Sequence, residues 1–222
     1  VVALMRELLP SELSKLLQIN RGLTQLNIDR YLMWQLPFSL SNARQAAFVF
    51  DGEVFRGLQA ASFSDDDLQY AQHHLRILSG LYGVLRPLDL IQPYRLEVSS
   101  RLENPEGKDL YPYWKNKVTH LLREELLTGS QPPVVLNLAS TEYFKMTNLK
   151  TPDIQLIDVE FYEYSNDSFR QVVIYTKKAR GWMARYVITK KISSVDDLKG
   201  FDMGGYWYDP HQSTDTKLVF VR

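Results

Sequence analysis

The hydrophobic period of this chain changes along its length, and that change constrains the fold more than any single motif. Up to Gly129 most apolar side chains recur at helical spacing. Beyond it come three stretches of a different kind: "PPVVLNLAS", a short apolar run behind two prolines, then the β-rich "IQLIDVEFYEY" and "FRQVVIYT". Helical spacing returns in "KKARGWMARYVITKKI", with Ala179, Met183, Val187 and Ile188 on its core side, and "GYWYDPHQSTDTKLVFV" reads as a terminal hairpin. Helices and strands are therefore mixed without the regular strand–helix alternation of a doubly wound sheet. The pattern predicts an α+β (mixed α/β) fold, one compact domain over residues 1–222, built on a mixed sheet flanked by helices.

Individual helix ends are also legible. "SFSDDDLQYAQHHLRILSG" carries a capping-box start at Ser64 and Asp67, acids in the first turn, and an apolar stripe of Leu68, Ala71, Leu75 and Leu78, with Gly80 as the expected C-terminal cap. Ser11 is expected to cap a helix through Leu13, Leu16 and Leu17, and Ser41 or Asn42 one through Ala43, Ala46 and Ala47. "DLYPYWKNKVTHLLREELL" supplies another helix, and Ser194 to Leu198 a short capped turn. In "FVFDGEVF", Asp51-Gly52 between two apolar triplets predicts a hairpin turn. No repeat, low-complexity tract or long linker divides the chain.

At 222 residues the chain is long enough to bury a sizeable core, and it opens on Val1, as expected of a processed or truncated form of a longer protein. It holds no cysteine, which excludes disulfides, thiolate metal sites and cysteine nucleophiles and fits a reducing compartment. No apolar run is long enough to span a bilayer. Net charge is zero, from 26 basic and 26 acidic residues, but the charge is segregated. Asp153, Asp158, Glu160, Glu163 and Asp167 form an acidic stretch without a base; Arg170, Lys177, Lys178, Arg180, Arg185, Lys190 and Lys191 follow without an acid. Such a layout gives a neutral molecule a basic face, unless each base pairs with its acidic neighbour.

Three stretches have the residue types of a phosphate site. In "LRILSGLYGVLRPLDLIQPYRLE", Gly80 and Gly83 lie in a turn surrounded by Arg76, Arg86 and Arg95. A helix–turn–helix reading of Leu75 to Arg86 resembles a helix-hairpin-helix, whose glycine turn offers main-chain N–H groups to a phosphate regardless of base sequence. An ordinary helix C-cap and turn would use the same glycines. In "VVLNLASTEYFK", Asn137 and Ser140 stand where a buried strand ends and a helix begins, a favoured position for an anion, and Ser140, Glu142 and Lys145 are candidates for phosphate ligand, acid or base, and clamp. A serine N-cap with solvated charges accounts for the same residues. In "YTKKARGWMARY", Lys177, Lys178 and Arg180 are expected to open a helix against its dipole, with Arg185 further on, and Gly181 is costly inside a helix unless a ligand or another backbone comes close. The histidines have no ligand spacing, no calcium or zinc loop is present, and no nucleotide-binding or nucleophile-elbow motif occurs. The residues imply no cofactor and no metal.

Taken together, "AFVFDGEVFRGLQA", "QHHLRILSGLYGVLRPLDLIQPYRLE", "GKDLYPYW", "NLASTEYFK" and "KKARGWMARYVI" resemble the YaaA family of bacterial peroxide-stress proteins, in one order over nearly the whole chain. The resemblance implies a cytoplasmic protein that limits iron-driven peroxide damage. It also implies DNA binding through a basic cleft and a helix-hairpin-helix-like element in a fold particular to the family. On this chain that element maps onto Leu75 to Arg86, and together with the basic stretches above the candidate DNA contacts are Arg76, Gly80, Gly83, Arg86, Arg95, Lys145, Lys177, Lys178, Arg180 and Arg185. Family members carry an N-terminal strand and a Ser-Pro-Ala-Lys-type stretch ahead of the position Val1 holds here. Two functional readings stay open at this point: a non-catalytic, structure-preferring DNA-binding protein, and a glycosylase- or lyase-like enzyme acting on a nucleobase or nucleotide, with a pocket around Asn137 to Lys145.

Overall fold

A computed structural model describes residues 1–129, 131–165 and 168–222. Among these, the helices in chain order are α1 (Val2–Glu7), α2 (Pro10–Leu17), α3 (Arg21–Met33), α4 (Ala46–Val49), α5 (Glu53–Leu58), α6 (Asp65–His74), α7 (Leu110–Leu126), α8 (Thr141–Phe144) and α9 (Val173–Lys190). The strands are β1 (Arg44–Gln45), β2 (Ile77–Ser79), β3 (Gly83–Leu85), β4 (Leu90–Ile91), β5 (Val134–Asn137), β6 (Gln155–Ser165), β7 (Ser168–Arg170), β8 (Trp207–Tyr208) and β9 (Lys217–Val221). The α+β class with a mixed sheet is thus the observed one. The residues group into two compact units: 1–49, 76–126 and 140–148 in the first, and 50–75, 127–139 and 149–222 in the second.

The second unit is built on the sheet. Its order is β5-β6-β9-β8, with β7 also paired to β6; β5, β6 and β9 run parallel, while β7 and β8 are antiparallel. Along β6 the side chains alternate: Ile157, Val159 and Phe161 are buried in one cluster with Ala179 and Met183 of α9 and with Phe201, Tyr206, Leu218 and Phe220. Their intervening neighbours Asp158, Glu160 and Tyr162 are half-buried and polar. On β9, Leu218 to Val221 are all buried, the continuous apolar run of a strand covered on both faces. The α6 capping box forms as the sequence predicts, with Ser64 Oγ accepting from the Asp67 N–H at 3.2 Å.

Helix α9 begins at Val173, four residues before Lys177. "VVIYT" is therefore mostly helix rather than strand, and the lysines lie a full turn inside the helix, where the supposed conflict with its dipole is gone. Gly181 has a structural explanation. A Cβ built on it would lie 2.9 Å from the Cα of Gly57 on α5 and closer still to the Val54 carbonyl oxygen, so the two helix backbones touch at paired glycines. "FVFDGEVF" supplies parts of α4 and α5 around an extended Gly52, in place of the expected hairpin.

The first unit holds two small antiparallel pairs, β1 with β4 and β2 with β3, packed among α1 to α4, α7 and α8. Here the sequence expectation needs correction. Helix α6 stops at His74, and Leu75 is extended (φ −91°, ψ 135°), so Gly80 caps no helix and the helix-hairpin-helix does not form. Ile77, Ser79, Gly83 and Leu85 are buried while Leu78 and Val84 between them are less so, a period of two that belongs to a hairpin. Its three-residue loop places Gly83 at φ +79°, and Ser79 Oγ accepts from the Tyr82 N–H at 3.0 Å. Two helix starts also shift. Pro10, not Ser11, opens α2, with Glu12 accepting from the Leu9 N–H at 2.8 Å, and the helix expected from Ser41 or Asn42 begins only at Ala46.

Candidate functional site

From Lys177 to Lys190 the basic run predicted from the sequence lies on α9, in the second unit. Lys177 is exposed, and the Nζ of Lys178 stands 5.1 Å from the centre of the Trp182 ring. Arg180 is half-buried; its Nε is sealed from solvent and has no hydrogen-bond partner among the described residues. Burial pushes its guanidinium below the usual arginine range, against the weaker opposing pull of Glu160. Among the described residues none of these three cations is within ion-pair distance of a carboxylate. Arg185 is different: it donates to the Leu58 and Gln59 carbonyls at 3.3 Å and to Ser62 Oγ at 2.8 Å, where it terminates α5.

Three acids of the preceding segment make their short contacts elsewhere. Asp158 is held by Asn137 at 2.7 Å and Lys150 at 3.8 Å, Glu160 by Lys217 at 3.4 Å and the Tyr162 hydroxyl at 3.0 Å, and Glu163 by Arg222 at 2.7 Å and by Tyr206. Each partner of these three comes from outside the basic run. Asp167 lies outside the described residues.

In the first unit two of the three arginines around the glycine turn, Arg76 and Arg86, meet one carboxylate. Arg76 Nε meets Glu125 at 2.7 Å and Arg86 Nη2 meets the other carboxylate oxygen at 2.5 Å. The turn itself is covered by Trp114: its indole N–H donates to the Gly80 carbonyl at 2.8 Å, and a Cβ on Gly83 would lie 2.7 Å from the ring. A Cβ on Gly80 would meet the Leu96 carbonyl oxygen at 2.5 Å. Both glycines therefore serve the packing of protein groups, which accounts for them without a phosphate. Arg95 is exposed and lies outside the helices and strands.

The "NLASTEYFK" candidates divide between the units. Asn137, in the second, donates to Asp158 and accepts from the Ala139 N–H at 3.1 Å, so its amide is used in ending the strand. Ser140, in the first, is the N-cap of α8 and accepts from the Tyr143 N–H at 3.3 Å; no base contacts its hydroxyl among the described residues. Glu142 accepts from Ser99 Oγ at 2.7 Å. Burial first, then the nearby Glu97 and Glu142, push the Tyr143 hydroxyl up to about 12. Lys145 is exposed at the end of α8. The described residues include no cluster of metal-ligating side chains and no helix long and apolar enough to cross a membrane. Sequence reasoning missed Glu125 and Trp114, whose roles are set by contacts distant in the chain. It also missed the alternation of exposed charge and buried apolar residue in "RLEVSSRLE", which a period-two search would have found.

Comparison with known proteins places this architecture. The family model described as peroxide stress protein YaaA matches residues 1–212. A UPF0246 protein of Alteromonas mediterranea is 46% identical over 217 residues, covering 98% of this chain and 83% of that protein. The mixed-sheet α+β architecture is therefore that of a peroxide stress protein. The chain belongs to the YaaA family.

Proposed function

We propose that the protein acts in peroxide stress as a non-catalytic, cytoplasmic DNA-binding protein, limiting iron-driven damage to the DNA it covers, with the whole of residues 1–222 serving as one functional domain. The observation that carries this reading is Arg180: a half-buried guanidinium whose Nε is sealed from solvent without a hydrogen-bond partner, with no carboxylate within ion-pair distance among the described residues, near Lys177 and Lys178, which also have none. Sealing the Nε side of this guanidinium from solvent costs more than the pull of Glu160 returns, and an anion that enters from outside offsets the cost. The phosphates of a DNA backbone satisfy such a group without base readout. The enzymatic reading lacks a comparable observation, because Asn137, Ser140 and Glu142 are each engaged in structural hydrogen bonds and no base among the described residues touches Ser140.

The test is duplex binding by fluorescence anisotropy across a salt series. Arg180→Ala and Lys178→Ala should each weaken binding to all sequences alike and make the slope of log affinity against log salt shallower, by about 0.9 for each phosphate no longer neutralised. A folded Arg180→Ala variant with an unchanged slope overturns the assignment, and release of a base or strand cleavage by the wild type restores the enzymatic reading.

A further inference from the structure

The basic surface of α9 includes an aromatic side chain one turn before its lysines. Tyr175 and Lys178 are three positions apart and share a face of the helix, their Cβ atoms about 5–6 Å apart, and Trp182 continues the stripe. The Trp182 ring is already engaged: it carries Lys178, and a Cβ built on Gly204 (φ +68°) would lie 2.1 Å from it, so it rests on the main chain there. Tyr175 is not closed in this way. The Arg222 guanidinium lies over its ring at 4.8 Å from the centre, and over the Tyr206 ring at the same distance. Arg222 is itself held, donating from Nε to Glu163 at 2.7 Å and from Nη1 to the Gly204 carbonyl at 2.8 Å. Tyr206 is 1% exposed, but Tyr175 is 46% exposed. One face of the Tyr175 ring is thus set on a fixed cation while the rest of it meets solvent, all within the second unit.

A single exposed tyrosine is ordinary on a protein surface. Here its neighbours restrict what can cover it. A second cation on the open face would be repelled by the first across the ring, which excludes a lysine or arginine of a partner. A flat uncharged ring stacks there instead. Close by on the helix, Lys177 and Lys178 have no carboxylate within ion-pair distance among the described residues and take an anion. A nucleotide supplies both groups on one short frame, a flat base and a phosphate. In a duplex every internal base is stacked on both sides, so the base that reaches a side chain is an unpaired one.

We propose that Tyr175 stacks an unpaired base while Lys177 and Lys178 hold the adjoining phosphates, so that this surface binds DNA carrying an unpaired nucleotide more tightly than a fully paired duplex. The proposal rests on the phosphate-binding reading of α9 and adds recognition of a base face to it. No hydrogen bond to a base edge takes part, so the four bases should differ only as their stacking strengths do. Stacking also sets this side chain's role apart from that of its neighbours. Tyr175 neutralises no phosphate, and its removal should leave the salt dependence of binding as it is.

The experiment is anisotropy across a salt series with three labelled duplexes on the folded protein: one with a single unpaired adenine, one with an abasic residue in its place, and one fully paired. The adenine duplex should bind about tenfold more tightly than the abasic one, which has the same phosphates, and more tightly than the paired one. Tyr175→Phe, which keeps the ring, should retain the adenine-to-abasic ratio. Tyr175→Leu, its fold checked by circular dichroism and urea midpoint, should bring that ratio close to one with an unchanged salt slope. Equal binding of the adenine and abasic duplexes by the wild type, a ratio lost in Tyr175→Phe or kept in Tyr175→Leu, or a shallower salt slope in Tyr175→Leu would each overturn the proposal. Failure of the α9 reading shows separately, as an unchanged salt slope in Lys178→Ala.

Discussion

The arginines around the Gly80–Gly83 turn and the bases of α9 look alike in sequence: both are groups of cations next to glycines. In the structure they differ in what opposes them. Arg76 and Arg86 share one carboxylate, Glu125, and the turn glycines lie against Trp114 and the Leu96 carbonyl. Lys177, Lys178 and Arg180 have no carboxylate partner among the described residues, although an acidic stretch precedes them closely in the chain. A row of bases is thus informative about ligands only after its internal counter-charges are known. Glu125 is 39 residues from Arg86, so no local reading could have supplied it.

The contrast can be tested through its glycines, where the largest effect is expected. Gly181 and Gly57 let α5 and α9 touch backbone to backbone. Gly181→Val forces the helices apart and should cost about 3 kcal/mol, since neither backbone can yield as a side chain would. Urea denaturation measures it. A variant of near wild-type stability that no longer binds DNA would mean that the glycine serves a ligand after all.

Gly83→Ala should have a smaller effect, on the order of 1–2 kcal/mol, from the left-handed backbone and the approach to Trp114. The folded protein should bind DNA normally, because the turn is closed by protein groups. Impaired binding with an unchanged melting temperature would return this turn to the DNA interface and end the distinction between the two regions.

What the amino-acid order reveals of the fold follows the same division. The α6 start was legible because Ser64 and Asp67 satisfy each other locally, and β5 and β6 because an apolar run behind prolines and an alternating run have few other solutions. The hairpin at Ile77–Leu85 was not, since Leu75 and Leu78 continue the helical stripe of Leu68 and Ala71; the period-two pattern in Ile77, Ser79, Gly83 and Leu85 prevails because these side chains are buried and Trp114 closes the turn. "VVIYT" has strand propensity but forms the first turns of α9, where Val173, Ile174 and Tyr175 are exposed; the packing of the helix against α5 lies further on, at Gly181. Of the candidate site, the identity of the α9 cations was legible. Their lack of partners, and the engagement of Arg76, Arg86, Arg185, Asn137 and Glu142, are facts of tertiary packing.

The smallest expected effect concerns Glu125 itself. Burial alone would raise its carboxyl, but hydrogen bonds from Arg86 and then Arg76 overcome that and hold it below the usual carboxylate range. A folded value below the unfolded one means that the interaction contributes fully above the unfolded carboxylate range and fades as pH falls through the folded value. Glu125→Gln should therefore destabilise the protein at neutral pH by roughly 0.5–1 kcal/mol, a modest figure because Arg86 is 47% exposed and solvent screens the pair. The difference from wild type should shrink on acidification, as urea midpoints across pH would show; a difference constant with pH would assign the effect to packing. The same variant tests the comparison directly. It removes the carboxylate charge that Arg76 and Arg86 share without adding charge elsewhere, and if α9 alone meets DNA, the salt slope of binding should stay at the wild-type value. A steeper slope with tighter binding would show that the Glu125 charge keeps this region from phosphate, and the distinction between the two basic regions would then rest on one removable carboxylate.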